Sequence, residues 1–191
     1  MTISIRPART SDADAIARIR IACWQLAYRG LIPDAYLDGM QHDRSVALWD
    51  RVLAATEGST AHVFVAEKID GEVVAFAAGN LLDPPRHDLN AELSAVYVLR
   101  EFQHAGIGRQ LVGAVADAQR AHGANGLIVW VIAGNKPARA FYEALGADLI
   151  VEQPFEWDGM KLVEAGYGFR DLDALVRAAA VVPPPRGSAI H

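Results

Sequence analysis

A chain of 191 residues, 52 % apolar and 21 % charged, is expected to form one globular domain with a sizeable core. Its formal net charge of −5, from 18 Lys+Arg against 23 Asp+Glu, argues against a general nucleic-acid binder, which needs a basic footprint to displace counterions. The single cysteine, Cys23, excludes an intrachain disulfide. With neither a signal-peptide pattern nor an apolar run near the ~18 residues of a membrane span, the expected compartment is the cytoplasm and no membrane partner is expected.

In chain order, Ile3-Ser4-Ile5-Arg6 alternates as a short strand that Pro7 ends. Ser11-Asp12-Ala13-Asp14 resembles a capping box with Asp in the usual Glu place. A helix is predicted from there to about Tyr28, with Ile16, Ile19, Cys23 and Ala27 near one face. Gly30 and Pro33 break it, and after a loop a second helix is predicted over Arg44 to Ala55. His62 to Ile69 and Glu72 to Asn80 read as two strands joined by the Asp70-Gly71 turn. Asp83-Pro84-Pro85-Arg86-His87-Asp88 reads as a loop, and Ala91 to Leu99 as a strand. Gly106 to about His122 reads as a helix closed by Gly123.

Leu127 to Ile132 is a continuous apolar run, the pattern of a buried strand. Pro137 suits the first turn of a helix reaching Leu145, with Gly146 as its stop. Leu149 to Trp157 and Met160 to Phe169 form a final hairpin around Asp158-Gly159, and Asp171 to Ala180 one more helix. A Pro183-Pro184-Pro185 tail, expected to be poorly ordered, follows. The order is strand, two helices, three strands, helix, strand, helix, two strands, which defines an α/β domain with a mixed sheet. The domain is assigned to residues 1–170, and residues 171–191 to a C-terminal helix and flexible tail.

Gln103-His104-Ala105-Gly106-Ile107-Gly108-Arg109 follows a strand and opens a helix. The first N–H groups of a helix have no intrahelical acceptor, and the helix dipole adds positive charge there. Two glycines let a bulky anion approach the backbone, and Arg109 can add a charge-assisted contact. These features suit a pyrophosphate, although a tight turn that binds nothing gives the same local pattern. A dinucleotide fingerprint is excluded because Leu111 stands where a third small residue is needed, and no Gly-Lys-Ser/Thr triplet exists for a Walker loop.

Ala91-Glu92-Leu93-Ser94-Ala95-Val96-Tyr97-Val98 with the turn after it, and Asn135-Lys136-Pro137-Ala138-Arg139-Ala140-Phe141-Tyr142 with Leu145-Gly146-Ala147, together resemble the GNAT superfamily of N-acetyltransferases. The likeness covers roughly residues 3 to 169. It implies a single-domain, mixed, mostly antiparallel sheet flanked by helices, its two central strands splayed to admit acetyl-CoA. It further implies that Val96, Tyr97 and Val98 pair with the pantetheine arm and that His104 to Arg109 cradle the pyrophosphate. Asn135 would contact the arm, and Phe141 and Tyr142 would line the thioester end. Trp24-Gln25-Leu26-Ala27-Tyr28-Arg29-Gly30-Leu31-Ile32-Pro33 also resembles a segment that lies near the acceptor in one branch.

Acetyl transfer to an amine needs a base, because a free alkylammonium has a pKa near ~10.4. It also needs donors for the developing oxyanion, and a proton for the departing thiolate. Glu92 is the candidate base. On an alternating strand it shares a face with Ser94, Val96 and Val98, and its alternative role is that of a strand-edge carboxylate. Other branches carry a glutamate five residues before the asparagine; here that position is Trp130. Tyr142 is the candidate acid, since a phenol is protonated at neutral pH. For the oxyanion, only backbone N–H groups near Val98 suggest themselves.

Cys23 reads as a core residue rather than a nucleophile. The histidines show no metal-ligand spacing, so no metal is expected. His87 with Asp83 and Asp88 reads as a solvated loop that can border the acceptor site. Trp24, Tyr28, Tyr36 and Trp49 can line an acceptor pocket, although aromatics at these spacings are more often core; of the four, Trp24 and Tyr28 are the candidate acceptor-site residues. Leu172, Leu175 and Val176 form a stripe for the sheet or for a second subunit. The reading is an acetyl-CoA-dependent N-acetyltransferase that acts on a small-molecule or peptide amine by direct transfer. The alternatives are a non-catalytic acyl-CoA-binding module and an acyltransferase with a different donor. Two-fold pairing is the commonest soluble assembly, so a homodimer is the default expectation.

Overall fold

The computed structural model describes residues 2–180. The proline-rich tail lies outside the described residues. Seven strands form one sheet: β1 (Ile3–Pro7), β2 (His62–Lys68), β3 (Val73–Arg86), β4 (Leu89–Val98), β5 (Leu127–Ile132), β6 (Asp148–Trp157) and β7 (Met160–Phe169). Their order across the sheet is β1-β2-β3-β4-β5-β7-β6, and every pairing is antiparallel except β4 with β5. The helices are α1 (Ala13–Ala27), α2 (Asp34–Asp38), α3 (His42–Ala54), α4 (Ile107–Ala121), α5 (Lys136–Ala144) and α6 (Leu172–Ala180). The mixed, mostly antiparallel sheet is the one expected. The five-residue α2 falls in the stretch read as loop, where Gly30 and Pro33 mask a run too short to show a helical period.

Two further readings are corrected. Ser11 does not cap α1. Thr10–Asp12 is a 3-10 turn, and the buried Asp12 carboxylate accepts from the Arg9 N–H at 2.7 Å. The Asp83–Asp88 stretch is not a loop. β3 continues through Arg86, and the turn is reduced to His87 and Asp88, both at positive φ (49° and 65°). The ladder skips from the Leu81–Ala91 pair to the Arg86–Leu89 pair. Pro84 and Pro85 therefore lie where no ladder N–H is needed.

A second irregularity sets which side chains face which way. On β4, Leu93 pairs with Gly79 and Ala95 with Ala78, so Ser94 is an extra residue in a bulge. Side chains alternate with period two, and one extra residue exchanges the faces beyond it. Glu92 therefore shares a face with Ala95 and Tyr97, opposite Asn80, Ala78 and Phe76, and not with Val96 and Val98 as strict alternation predicts. The Tyr97 face is covered by α1 and α3: Tyr97 bonds Trp24, and Trp49 packs edge-on against Phe76 with ring centroids 5.0 Å apart. The face of Val96 and Val98 is covered by α4, whose Gly108 and Val115 approach Val98 and Gly79.

α6 lies on α4 at a pair of small residues, so close that a Cβ on Gly113 would fall 2.2 Å from that of Ala179. Leu172 and Leu175 are buried there, so the apolar stripe packs within its own fold. The start of α1 is anchored by Arg6. Its guanidinium bonds Asp12 at 2.7 and 3.0 Å and Glu67 at 2.7 and 3.0 Å, joining β1, α1 and β2. Burial pushes the Asp12 carboxyl up, but the bonds from Arg6 and Arg9 outweigh it and hold it below the usual carboxylate range. Arg6→Met leaves the Asp12 carboxylate buried with its main partner gone. We expect a loss of about 2 kcal/mol, less than the ~3–5 kcal/mol of a fully enclosed pair, as a lowered urea midpoint at pH 7. Because the native Asp12 pKa is depressed, this stabilisation is present above the unfolded-state pKa and is lost on acidification. The difference between variant and parent should therefore shrink as the pH falls below about 4.

Candidate active site

β4 and β5 share a single register pair, Glu92 with Ile128. Beyond it they diverge, and a cleft of about 1010 Å³ opens between Leu93–Val98 on one side and Val129–Val131 on the other. The turn after β4, the start of α5 and the end of α1 complete its walls. Of the predicted cofactor residues, Val96, Tyr97, Val98, Gln103, His104, Gly106, Gly108, Arg109, Asn135 and Phe141 line this one cleft. Ala105 and Ile107 do not. Ala105 is exposed on the turn, and Ile107 faces inward at 2 % exposure.

The turn is built as its glycines require. His104 and Gly106 take positive φ (62° and 81°), and the first helical bond runs from the Gln110 N–H to the Gly106 carbonyl at 3.1 Å. The N–H groups of Ile107 and Gly108 therefore have no acceptor within the helix. Gln103 Nε2 donates to the Val98 carbonyl at 3.0 Å and ties the turn to β4. Cys23 Sγ reaches the same carbonyl at 3.4 Å. Burial pushes the Cys23 thiol up to about 12, so it is a protonated core group and no nucleophile.

On the other wall, Asn135 caps α5. Its Oδ1 accepts from the Ala138 N–H at 3.2 Å, and Pro137 occupies the first turn. Phe141 and Tyr142 follow, their rings 5.1 Å apart. Tyr142 is 6 % exposed, and burial raises its phenol above the ordinary range, with Tyr28 adding to the effect.

Glu92 stands one residue outside the stretch of β4 that lines the cleft. Its carboxylate is 3.5 Å from Arg86. Burial raises its pKa, Arg86 opposes this, and Glu164 adds to it. Tyr28 lines the cleft, whereas Trp24 does not. The Trp24 indole donates to Tyr97 Oη at 2.8 Å and packs edge-on against Tyr28 (5.0 Å) and Trp157 (5.1 Å).

Sequence reasoning missed Trp157, which folds back from the β6–β7 hairpin onto Trp24 and Tyr36. It also missed the Tyr97 side chain as a site group. Trp130 lines the cleft and packs over Gly166, where a Cβ would lie 2.9 Å from its ring. Among the described residues, no three His, Cys, Asp or Glu side chains gather as a metal site, and no helix is long and apolar enough to cross a membrane.

A splayed parallel pair with a glycine turn at its mouth frames the cleft, and comparison with known proteins gives the chain a family. The model of the Acetyltransferase (GNAT) family matches residues 16–147, and the chain belongs to that family. It is thus an N-acetyltransferase enzyme, as the resemblance implied. The chain is 32 % identical over 173 residues to the uncharacterized N-acetyltransferase YuaI of Bacillus subtilis (strain 168), covering 91 % of this chain and 96 % of that one. Its fold is similar to that of the PaiA N-acetyltransferase from Thermoplasma acidophilum in complex with coenzyme A (TM-score 0.68, 18 % identity, 86 % and 98 % of the two chains). It is similar again to that of YncA from Salmonella typhimurium with its cofactor acetyl-CoA (TM-score 0.66, 21 % identity, 89 % and 94 %).

Proposed function

We propose that the chain transfers the acetyl group of acetyl-CoA directly to a primary amine, with both bound in one ternary complex. The observation that carries this reading is the single cleft in which the Gln103–Arg109 turn, the unpaired edge of β4 and the Tyr142 phenol meet. The pantetheine arm would pair with Val96 to Val98 as an added strand. The turn would hold the pyrophosphate, with Asn135 and Phe141 against the arm. The bound acetyl-CoA of YncA and coenzyme A of PaiA support this use of the cleft.

In the transfer the amine nitrogen bonds to the thioester carbon. The carbon–sulfur bond then breaks with its electron pair on sulfur, and Tyr142 gives that sulfur a proton. The proton lost by the amine passes to Glu92. Because Glu92 lies just outside the cleft lining, one water is placed between carboxylate and amine. Half-burial raises the Glu92 pKa, which makes the carboxylate a stronger base than an exposed one.

Isothermal titration of the protein with acetyl-CoA, with NAD as control, tests the cofactor. Release of CoA thiol across a panel of amines tests the reaction. Binding of NAD in place of acetyl-CoA ends this reading. Glu92→Gln removes the base. We expect kcat to fall about 100-fold and the rising limb of the pH profile, placed above the ordinary carboxylate range, to disappear. A parental pH profile would show that the amine loses its proton elsewhere.

A further inference from the structure

A neutral primary amine that attacks the thioester carries two hydrogens. In the transfer proposed above one is lost through water to Glu92, and the other stays to become the N–H of the product amide. The hydrogen that stays needs an acceptor in the cleft, and the bulge of β4 supplies one. Ser94, the extra residue of that bulge, is exposed and lines the cleft. Up to the bulge the strand alternates, so Ser94 stands on the Glu92 face, while Leu93 between them is buried on the other side at 1 % exposure. Ser94 Oγ bonds the Ala78 carbonyl oxygen at 3.1 Å. A carbonyl has no hydrogen to give, so the direction of this bond is fixed: the one Ser94 proton is spent on Ala78, and the lone pairs of its oxygen are left as acceptors.

We infer that Ser94 accepts a hydrogen bond from the hydrogen that the amine keeps and so selects primary over secondary amines, an inference that rests on the acetyl transfer proposed above. Two residues of strand set Glu92 and Ser94 about 6–7 Å apart, which leaves room for the nitrogen beside Ser94 and one water between it and Glu92. As the nitrogen bonds to the thioester carbon it gains positive charge, its N–H becomes a stronger donor, and the bond to Ser94 tightens in the transition state. Ser94 neither gains nor loses a proton, because its own stays on Ala78. A secondary amine has a single hydrogen, which the transfer to Glu92 consumes. It has none left for Ser94, whose oxygen then meets the second carbon substituent.

The test is the release of CoA thiol by the full chain with the most reactive primary amine of the panel and with its N-methyl derivative. The parent should prefer the primary amine. Ser94→Ala should lower kcat for the primary amine about 10–100-fold, leave the N-methyl amine near its parental rate, and leave acetyl-CoA affinity unchanged. Ser94→Thr keeps the hydroxyl oxygen and should keep the parental preference. The ratio of the two amines within one variant does not depend on how much of that variant is folded. A purely structural Ser94 would lower both amines equally, and a purely steric one would raise the N-methyl amine and leave the primary amine untouched. Either result, or the parental ratio in Ser94→Ala, overturns the inference alone. A parent protein that acetylates no primary amine overturns the proposed transfer and the inference with it.

Discussion

Gly108→Glu should abolish acetyl-CoA binding. Gly108 lies in the first turn of α4, where a Cβ would stand 3.3 Å from Phe141 Cζ and 3.6 Å from Val98 Cγ2. A glutamate there must either displace Phe141 or extend into the cleft. In the second case its carboxylate faces the pyrophosphate within a partly desolvated turn. Like charges brought together in this way cost several kcal/mol, which corresponds to at least about 100-fold in affinity. Gly108→Ala adds only the Cβ, which Phe141 accommodates by a shift of a few tenths of an ångström, and it should lose far less. Titration calorimetry of the two variants separates charge from bulk, and parental affinity in Gly108→Glu would remove the phosphate from this turn.

Tyr142→Phe acts on the other half of the reaction. The substitution keeps the buried ring against Phe141 and removes one hydroxyl. Loss of a general acid costs typically ~10²–10⁴-fold in rate, and kcat should fall within that range. Affinity for acetyl-CoA should be unchanged, because in the proposed complex the cofactor is held by backbone and turn. The raised phenol pKa means that the parent keeps this acid protonated well into the alkaline range, so Tyr142 should add no falling limb near neutral pH. Parental turnover in Tyr142→Phe would give the sulfur's proton to another group.

The turn and helix start that line the cleft were legible in the sequence because they are made by backbone over short stretches. A glycine turn opening a helix, and an asparagine followed by proline at a helix start, carry their geometry in a few consecutive residues. The facing of Glu92 was not legible. It depends on the bulge at Ser94, and whether a strand holds one residue more than its neighbour is a property of the pair of strands. Trp24 reads as an acceptor-site residue until the fold brings Tyr97 under its indole. Trp157 carries no local signal, since its partners Trp24 and Tyr36 lie more than a hundred residues away along the chain.

The one rung between β4 and β5 has a thermodynamic corollary. It divides the sheet into four strands on one side and three on the other, with little main-chain bonding across the seam. A ligand that lies in the seam and bonds to both edges makes the sheet continuous. Its binding energy then becomes folding energy: about 2.7 kcal/mol at a free concentration 100 times the Kd. An acetyl-CoA bound in the proposed way would raise the protein's resistance to heat as its concentration rises, so the same molecule would serve as reactant and as a brace for the sheet.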